Sequence, residues 1–183
     1  MRRTMDKAAA KAIHHRISSP QTNDEIAMDD WNLPWTGGCR CGRLRFEITA
    51  PPLLTMACHC TGCQKMSASA FSLSMAIPQA GFRVTEGNPV VGGMHGEQIH
   101  HRHCDWCKSW VFTEMEPSMG FVNVRPTMLD DAAWFAPYVE TYTSEALPWA
   151  KTGAAHSFAR FPQMEEYGPL VAEFGARGPR PGR

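Results

Sequence analysis

Between Arg43 and Thr49 the chain alternates strictly, with Leu44, Phe46 and Ile48 set between Arg43, Arg45, Glu47 and Thr49. A period of two places the apolar set on one face of an extended segment, so this run predicts a half-buried strand. Phe71, Leu73, Met75 and Ile77 alternate with small or hydroxyl residues and predict a second one. Pro and Gly punctuation delimits further predicted strands over residues 82–85, 109–113, 120–124 and 138–143. No helical pattern in this region exceeds about two turns, and no internal repeat is visible, so the expected fold is mainly β in a single domain.

The flanks read differently. Residues 1–34 form an expected N-terminal arm, Ala-rich and charged, with a short helix over 7–13; residues 35–162 form the β domain. Residues 163–183 form an expected C-terminal tail, whose end from Gly175 alternates Gly, Pro and Arg and is expected to be disordered. With 183 residues and 43% hydrophobic content the chain can bury one core.

Charge excludes some partners. Eighteen basic and eighteen acidic residues cancel, so no whole-molecule field draws the protein to nucleic acid or an anionic membrane. No apolar run approaches the ~20 residues needed to span a bilayer, and no secretory h-region follows Arg2 and Arg3. A cytoplasmic protein is expected.

The chemistry lies in seven cysteines, an odd number that cannot pair completely and that a reducing compartment keeps as thiols. They fall into Cys39-Arg40-Cys41, Cys58-His59-Cys60-Thr61-Gly62-Cys63 and Cys104-Asp105-Trp106-Cys107. Residues two apart on an extended chain share a face, and a C-x-x-C turn converges its two sulfurs. Cys39, Cys41, Cys104 and Cys107 therefore suit one closed tetrahedral zinc site linking distant segments. Cys58, Cys60 and Cys63 remain, three thiolates with one coordination position open, the arrangement of a catalytic zinc. Such a thiolate-rich ion ionises water weakly and prefers a sulfur as fourth ligand, so a thiol substrate bound there would be held in its nucleophilic form.

Other readings of the same residues stay open. The triplet suits a redox cluster, or a structural site closed by a histidine or water. His59 points away from Cys58 and Cys60 if the segment is extended, which makes it a packing or supporting residue rather than a ligand. His100, His101 and His103 read as a solvated, hydrogen-bonding face, the 11 methionines as core filler, and Trp110 and Phe112 as core.

At these residues the sequence resembles the glutathione-dependent formaldehyde-activating family, which includes centromere protein V. The resemblance covers roughly residues 36–162. It rests on Gly37-Gly38-Cys39-Arg40-Cys41-Gly42, on Cys58 to Lys65, on Ser67-Ala68-Ser69-Ala70-Phe71, on Cys104 and Cys107, on Leu129-Asp130-Asp131 and on Leu147-Pro148-Trp149. It implies a β-tent of small antiparallel sheets joined by zinc and two zinc ions per chain. Cys39, Cys41, Cys104 and Cys107 would hold the structural ion, and Cys58, Cys60 and Cys63 the catalytic one. The implied reaction is reversible joining of formaldehyde to glutathione, a carbon–sulfur lyase activity. Three positions depart from the family pattern: Lys108 and Thr127 stand where Gly is usual, and Glu140 where many members carry His.

Two functions follow as expectations. In the first, the protein is an enzyme acting on a small thiol such as glutathione or its aldehyde adduct, with Gln64 and Lys65 orienting that adduct. In the alternative it is a non-catalytic zinc-binding module for a protein partner. Five basic and five acidic residues within 1–34 give no cationic extension for nucleic acid.

Overall fold

The computed structural model describes residues 31–94 and 96–182. The helix expected over 7–13 lies outside the described residues. Among them the fold is mainly β with two helices, in a single domain. The strands are β1 (Trp35–Gly38), β2 (Arg45–Ile48), β3 (Leu54–Cys58), β4 (Ser72–Pro78), β5 (Phe82–Glu86), β6 (Pro89–Val91), β7 (Ile99–Cys104), β8 (Trp110–Met115), β9 (Phe121–Val124), β10 (Val139–Thr141) and β11 (His156–Ser157). The helices are α1 (Thr61–Ser67) and α2 (Met164–Arg177).

A three-stranded antiparallel sheet, β1-β2-β5, faces an eight-stranded sheet ordered β11-β10-β3-β4-β9-β8-β7-β6. The larger sheet is antiparallel except at one end, where β10 runs parallel to both β3 and β11. Leu44, Phe46 and Ile48 are buried in the main core against Met75, Ile77, Phe112 and Val124, as their alternation requires. Phe82 bridges the sheets, its ring 5.6 Å from Phe46 and 4.8 Å from Phe112. Gly37 is required where β1 crosses over Phe46, because a Cβ there would lie 2.4 Å from both the Met128 carbonyl and the Phe46 ring.

β4 departs from simple alternation. Ser72, Ser74 and Ala76 are buried along with Met75 and Ile77, while Leu73 is only half-buried. The strand lies between β3 and β9, and residues 74–77 are buried whichever face they occupy. At its start the Ser72 hydroxyl meets the Cys63 sulfur of the cysteine triplet.

Described residues on both flanks of the β domain pack into a second core. Trp31, assigned to the arm, is only 3% exposed and packs with Leu54, Tyr138, Val139, Leu170 and Phe174 in a second core. Beyond 163 the chain forms α2, which continues through Gly175 to Arg177, and Arg180 lies over the Trp31 ring at 4.8 Å. Gly168, Pro169 and Gly175 are poor helix formers and hid the helix. Leu170 and Phe174, one turn apart, anchor it, and burying two such side chains contributes on the order of 1.5–3 kcal/mol each. Glu165 and Glu166 in the first turn and Arg177 in the last match the helix dipole. None of the described helices is long and apolar enough to cross a membrane.

Candidate metal centres

Two β-hairpin turns build the first centre in the same way. After β1, the Cys39 backbone N–H donates to the Leu44 carbonyl at 2.9 Å and the Gly42 N–H donates back to the Cys39 carbonyl at 3.0 Å. After β7, the Cys104 N–H donates to the Ser109 carbonyl at 3.0 Å and the Lys108 N–H to the Cys104 carbonyl at 3.2 Å. Each turn closes on a residue with positive φ immediately after its second cysteine, Gly42 at +77° and Lys108 at +57°. Gly adopts that conformation freely, whereas a lysine pays a steric cost of about 1–2 kcal/mol.

The four sulfurs converge within 4.8 Å of one another, with Cys39 and Cys41 3.5 Å apart and Cys41 and Cys104 3.8 Å apart. Tetrahedral zinc with Zn–S bonds of about 2.3 Å sets its sulfurs about 3.8 Å apart, so the group fits that ion. No disulfide joins any of the seven cysteines. The thiols of the group are driven apart in acidity. Burial pushes Cys104 up to about 11, while the Ser109 hydroxyl, 3.3 Å from its sulfur, draws Cys107 down to about 5. So crowded a set cannot ionise fully without a cation among the sulfurs. Beside it, Asp130 accepts from Thr36 Oγ1 at 2.6 Å and from Arg45 Nη1 at 2.9 Å, tying β1 and β2 to the Leu129 segment.

The second centre is local in sequence. Cys58 ends β3, Cys60 caps α1, and Cys63 lies in that helix's first turn, with its N–H donating to the Cys60 sulfur at 3.3 Å. The three sulfurs lie within 4.8 Å of one another, and among the described residues no fourth His, Cys, Asp or Glu joins them. Hydrogen bonding from Cys63 draws the Cys58 thiol down to about 5, with help from the Thr141 hydroxyl, and the same bond pushes Cys63 far up. Again the donor set is soft and suits zinc.

His59 is fully buried on the far side of the segment, where its Nε2 meets the Glu140 carboxylate at 3.0 Å and its ring packs on Phe71. Glu140 also accepts from Ser157 at 2.5 Å and Thr152 at 2.6 Å. Burial opposes its charge, yet these donors hold it below the usual carboxylate range. The histidine therefore braces the loop from behind.

Gln64 and Lys65 sit on α1 with different fates. The Gln64 amide nitrogen donates to the His59 carbonyl at 2.6 Å and to the Glu145 carbonyl at 3.0 Å, so it clamps the loop ends together. Lys65 is exposed. Neither lines the nearest cleft, a space of about 330 Å³ bordered by Ser67 and Ser72. Ser67 Oγ donates to the Cys63 carbonyl at 2.7 Å, and the Ser72 hydroxyl hydrogen-bonds the Cys63 sulfur, so the cleft adjoins the triplet.

A residue that sequence reasoning missed also lines this cleft. Arg125 follows β9, is 8% exposed, and lies with its guanidinium 3.9 Å over the Trp110 ring. Burial lowers its pKa to about 10, and the neighbouring Cys63 and Cys58 sulfurs oppose the drop, so it is a cation at neutral pH. In sequence it simply continues the alternation of Val122, Asn123 and Val124, which reads as a solvent-facing position. Only the register, which sets Asn123 opposite Thr113 and Ala76, places that polar row on the site side of the large sheet.

The family model described as "Glutathione-dependent formaldehyde-activating enzyme" matches residues 34–145. A crystal structure of a Rhodobacter sphaeroides protein is also similar, at 17% identity and a TM-score of 0.44, over 52% of this chain and 87% of that one. The family match contains all seven cysteines, both hairpin turns and Arg125. By that match over most of its length, the chain belongs to the glutathione-dependent formaldehyde-activating enzyme family.

Proposed function

We propose that the protein is a zinc-dependent carbon–sulfur lyase, or synthase in the reverse sense, acting on a thiol–aldehyde adduct such as S-hydroxymethylglutathione. The observation that carries this reading is the triplet of converging sulfurs, joined by no fourth ligand among the described residues and lying beside a cleft. Zinc held by Cys58, Cys60 and Cys63 would supply Lewis acidity and keep a substrate sulfur as thiolate. In synthesis the sulfur attacks the aldehyde carbon, a C–S bond forms, and the carbonyl oxygen takes up the proton the thiol lost. Cleavage reverses each change.

The chain's own groups prepare the site. Thr141 and Ser72 present hydroxyls to Cys58 and Cys63, the start of α1 fixes Cys60 and Cys63 one turn apart, and the His59–Glu140 pair holds the loop rigid. Cys39, Cys41, Cys104 and Cys107 would hold a second, structural zinc.

A second reading, a zinc module for a protein partner, is favoured by the exposure of Trp106 at 66% and Trp149 at 73%. Exchange between formaldehyde and its glutathione adduct separates the two. The zinc-loaded protein should accelerate exchange over background, and Cys58→Ser and the metal-stripped protein should not. No acceleration and no thiol binding by the zinc-loaded protein would leave the binding-module reading.

A further inference from the structure

The cleft beside the triplet has an unusual charge balance. Two cations, Arg125 and Lys108, line it together with the His103 imidazole and the hydroxyls of Ser67, Ser72 and Thr127, and its lining contains no carboxylate. The whole chain is formally neutral, so this is a local concentration of positive charge. Arg125 is its least solvated member. Buried arginines are ordinarily paired, because an unpaired buried charge costs several kcal/mol. Here, among the described residues, no acidic side chain bridges it. Its Nη2 reaches Thr113 Oγ1 only at 3.5 Å, and its Nε has no hydrogen-bond partner.

The guanidinium is nonetheless held in place. Trp110 stacks under it, and the indole Nε1 donates to Thr113 Oγ1 at 3.1 Å, where His101 Nδ1 also lies at 2.9 Å. Thr113 thus fixes the support of Arg125 without satisfying the guanidinium. A planar donor fork, fixed by stacking and lining a carboxylate-free cleft, matches a carboxylate in shape and charge. The cleft reaches the triplet through Ser67 and Ser72, so a ligand with its sulfur at Cys58, Cys60 and Cys63 could extend an acidic arm into it.

We propose that this cleft seats a carboxylate of the thiol substrate and that Arg125 binds it, so that the protein selects acidic thiols over neutral ones, a specificity that rests on the lyase reading above. Arg125 has a competing use, since its charge also lies near Cys63 and Cys58 and could merely offset theirs. The two uses differ in what the arginine discriminates. Charge offset affects metal retention for every ligand alike, whereas a carboxylate anchor distinguishes ligands that carry the anion from those that do not.

The test uses S-methylglutathione, which keeps the carboxylates but has no free thiol, and its dimethyl ester. Both are titrated calorimetrically into the zinc-loaded protein. The acid should bind at least about tenfold more tightly than the ester, as a charge-assisted bidentate pair implies. Arg125→Met should bring the two ligands level, Arg125→Lys should fall between, and Thr127→Asp, which sets a negative charge on an exposed residue of the cleft, should weaken the acid alone. An acid-to-ester ratio near one in the wild type, or one unchanged by these substitutions, overturns the anchor. Loss of zinc in Arg125→Met with the ratio intact in Arg125→Lys and Thr127→Asp does the same, in favour of charge offset. If Arg125→Met does not fold, Arg125→Lys and Thr127→Asp decide by the same ratio. Failure of the lyase reading looks different: no formaldehyde exchange is accelerated, while S-methylglutathione still binds in an Arg125-dependent way. Conversely, exchange by Arg125→Met at unchanged KM for glutathione sinks the anchor and leaves the lyase.

Discussion

The two cysteine groups use the same ligand atom for opposite structural ends. The four-sulfur group joins the β1–β2 hairpin of the small sheet to the β7–β8 hairpin of the large one, with Cys41 and Cys104 63 residues apart in sequence. The three-sulfur group spans six residues at the junction of β3 and α1 and borders a cleft. A ligand set that closes a long loop replaces core that two small sheets cannot supply by themselves, whereas a local set adds little cross-linking and leaves a coordination position for chemistry. On the proposed function, sulfur count and sequence separation together, rather than cysteine content alone, would divide structure from chemistry.

The largest test of that division removes one ligand from each group. Because structural zinc contributes on the order of ~10 kcal/mol to small zinc modules, Cys104→Ser should unfold the domain or lower its Tm drastically. Cys60→Ser should leave Tm nearly unchanged, since a serine hydroxyl can still accept from the Cys63 N–H at the start of α1. Metal analysis should find two zinc ions in the wild type and one in Cys60→Ser. Equal loss of Tm in both variants would erase the distinction.

A control of intermediate size acts on neither group. Phe174→Ala opens a cavity in the second core beneath Trp31 and Tyr138, and should cost about 3–5 kcal/mol. Its thermal shift should come without loss of zinc, which separates loss of packing from loss of metal. If zinc leaves at temperatures where the variant is still folded, the cores and the centres are more closely coupled than the sheet arrangement implies.

The two cysteine groups were legible in the sequence, because metal chemistry restricts spacing enough that Cys39, Cys41, Cys104 and Cys107 could be set apart from Cys58, Cys60 and Cys63, and the sulfurs of each group do converge. The strands with one buried face were equally legible, Leu44, Phe46 and Ile48 being the clearest. β7 was not. Its run Ile99-His100-His101-Arg102-His103 offers no apolar face, since the strand is held by backbone pairing and polar contacts such as Arg102 to Glu114 at 2.6 Å. α2 was missed because Gly168, Pro169 and Gly175 oppose helix locally and tertiary burial of Leu170 and Phe174 overrides them. Arg125 was invisible for a third reason: one chain's alternation cannot distinguish a polar face turned to water from one turned to a ligand.

A smaller effect compares the two turns of the four-sulfur group. Lys108 at φ +57° occupies the place that Gly42 fills at +77° in the other turn. Lys108→Gly should therefore raise stability by up to about 1 kcal/mol, the relieved left-handed strain being partly offset by the greater freedom of glycine in the unfolded chain. Gly42→Ala should lower stability by about 1 kcal/mol. A Cβ there meets nothing within 4 Å, so the cost is of backbone alone. Chemical denaturation of both variants with zinc bound measures the pair. Shifts of the same sign would mean that the turns are not equivalent.

The smallest effect concerns the clamp beside the four-sulfur group. Asp130→Asn removes the carboxylate that accepts from Arg45 and Thr36, and because the pair is well exposed the cost should be only about 0.5 kcal/mol. Hydrogen bonds from Arg45 and Thr36 hold the Asp130 pKa below its ordinary value. A carboxylate with a depressed folded pKa contributes stability that is full above its unfolded pKa, near 4, and is lost as pH falls through the lower folded value. From pH 8 to pH 5 the difference between wild type and Asp130→Asn should therefore stay constant. Stability conferred by the metal should behave otherwise over the same range, because protons compete with zinc for the thiolates and the holo-protein weakens steadily as pH falls. Parallel urea denaturation of wild type, Asp130→Asn and Cys60→Ser across those pH values separates the two. A clamp contribution that declined together with metal-dependent stability would show that Asp130 acts through the sulfur group and not through its own ion pair.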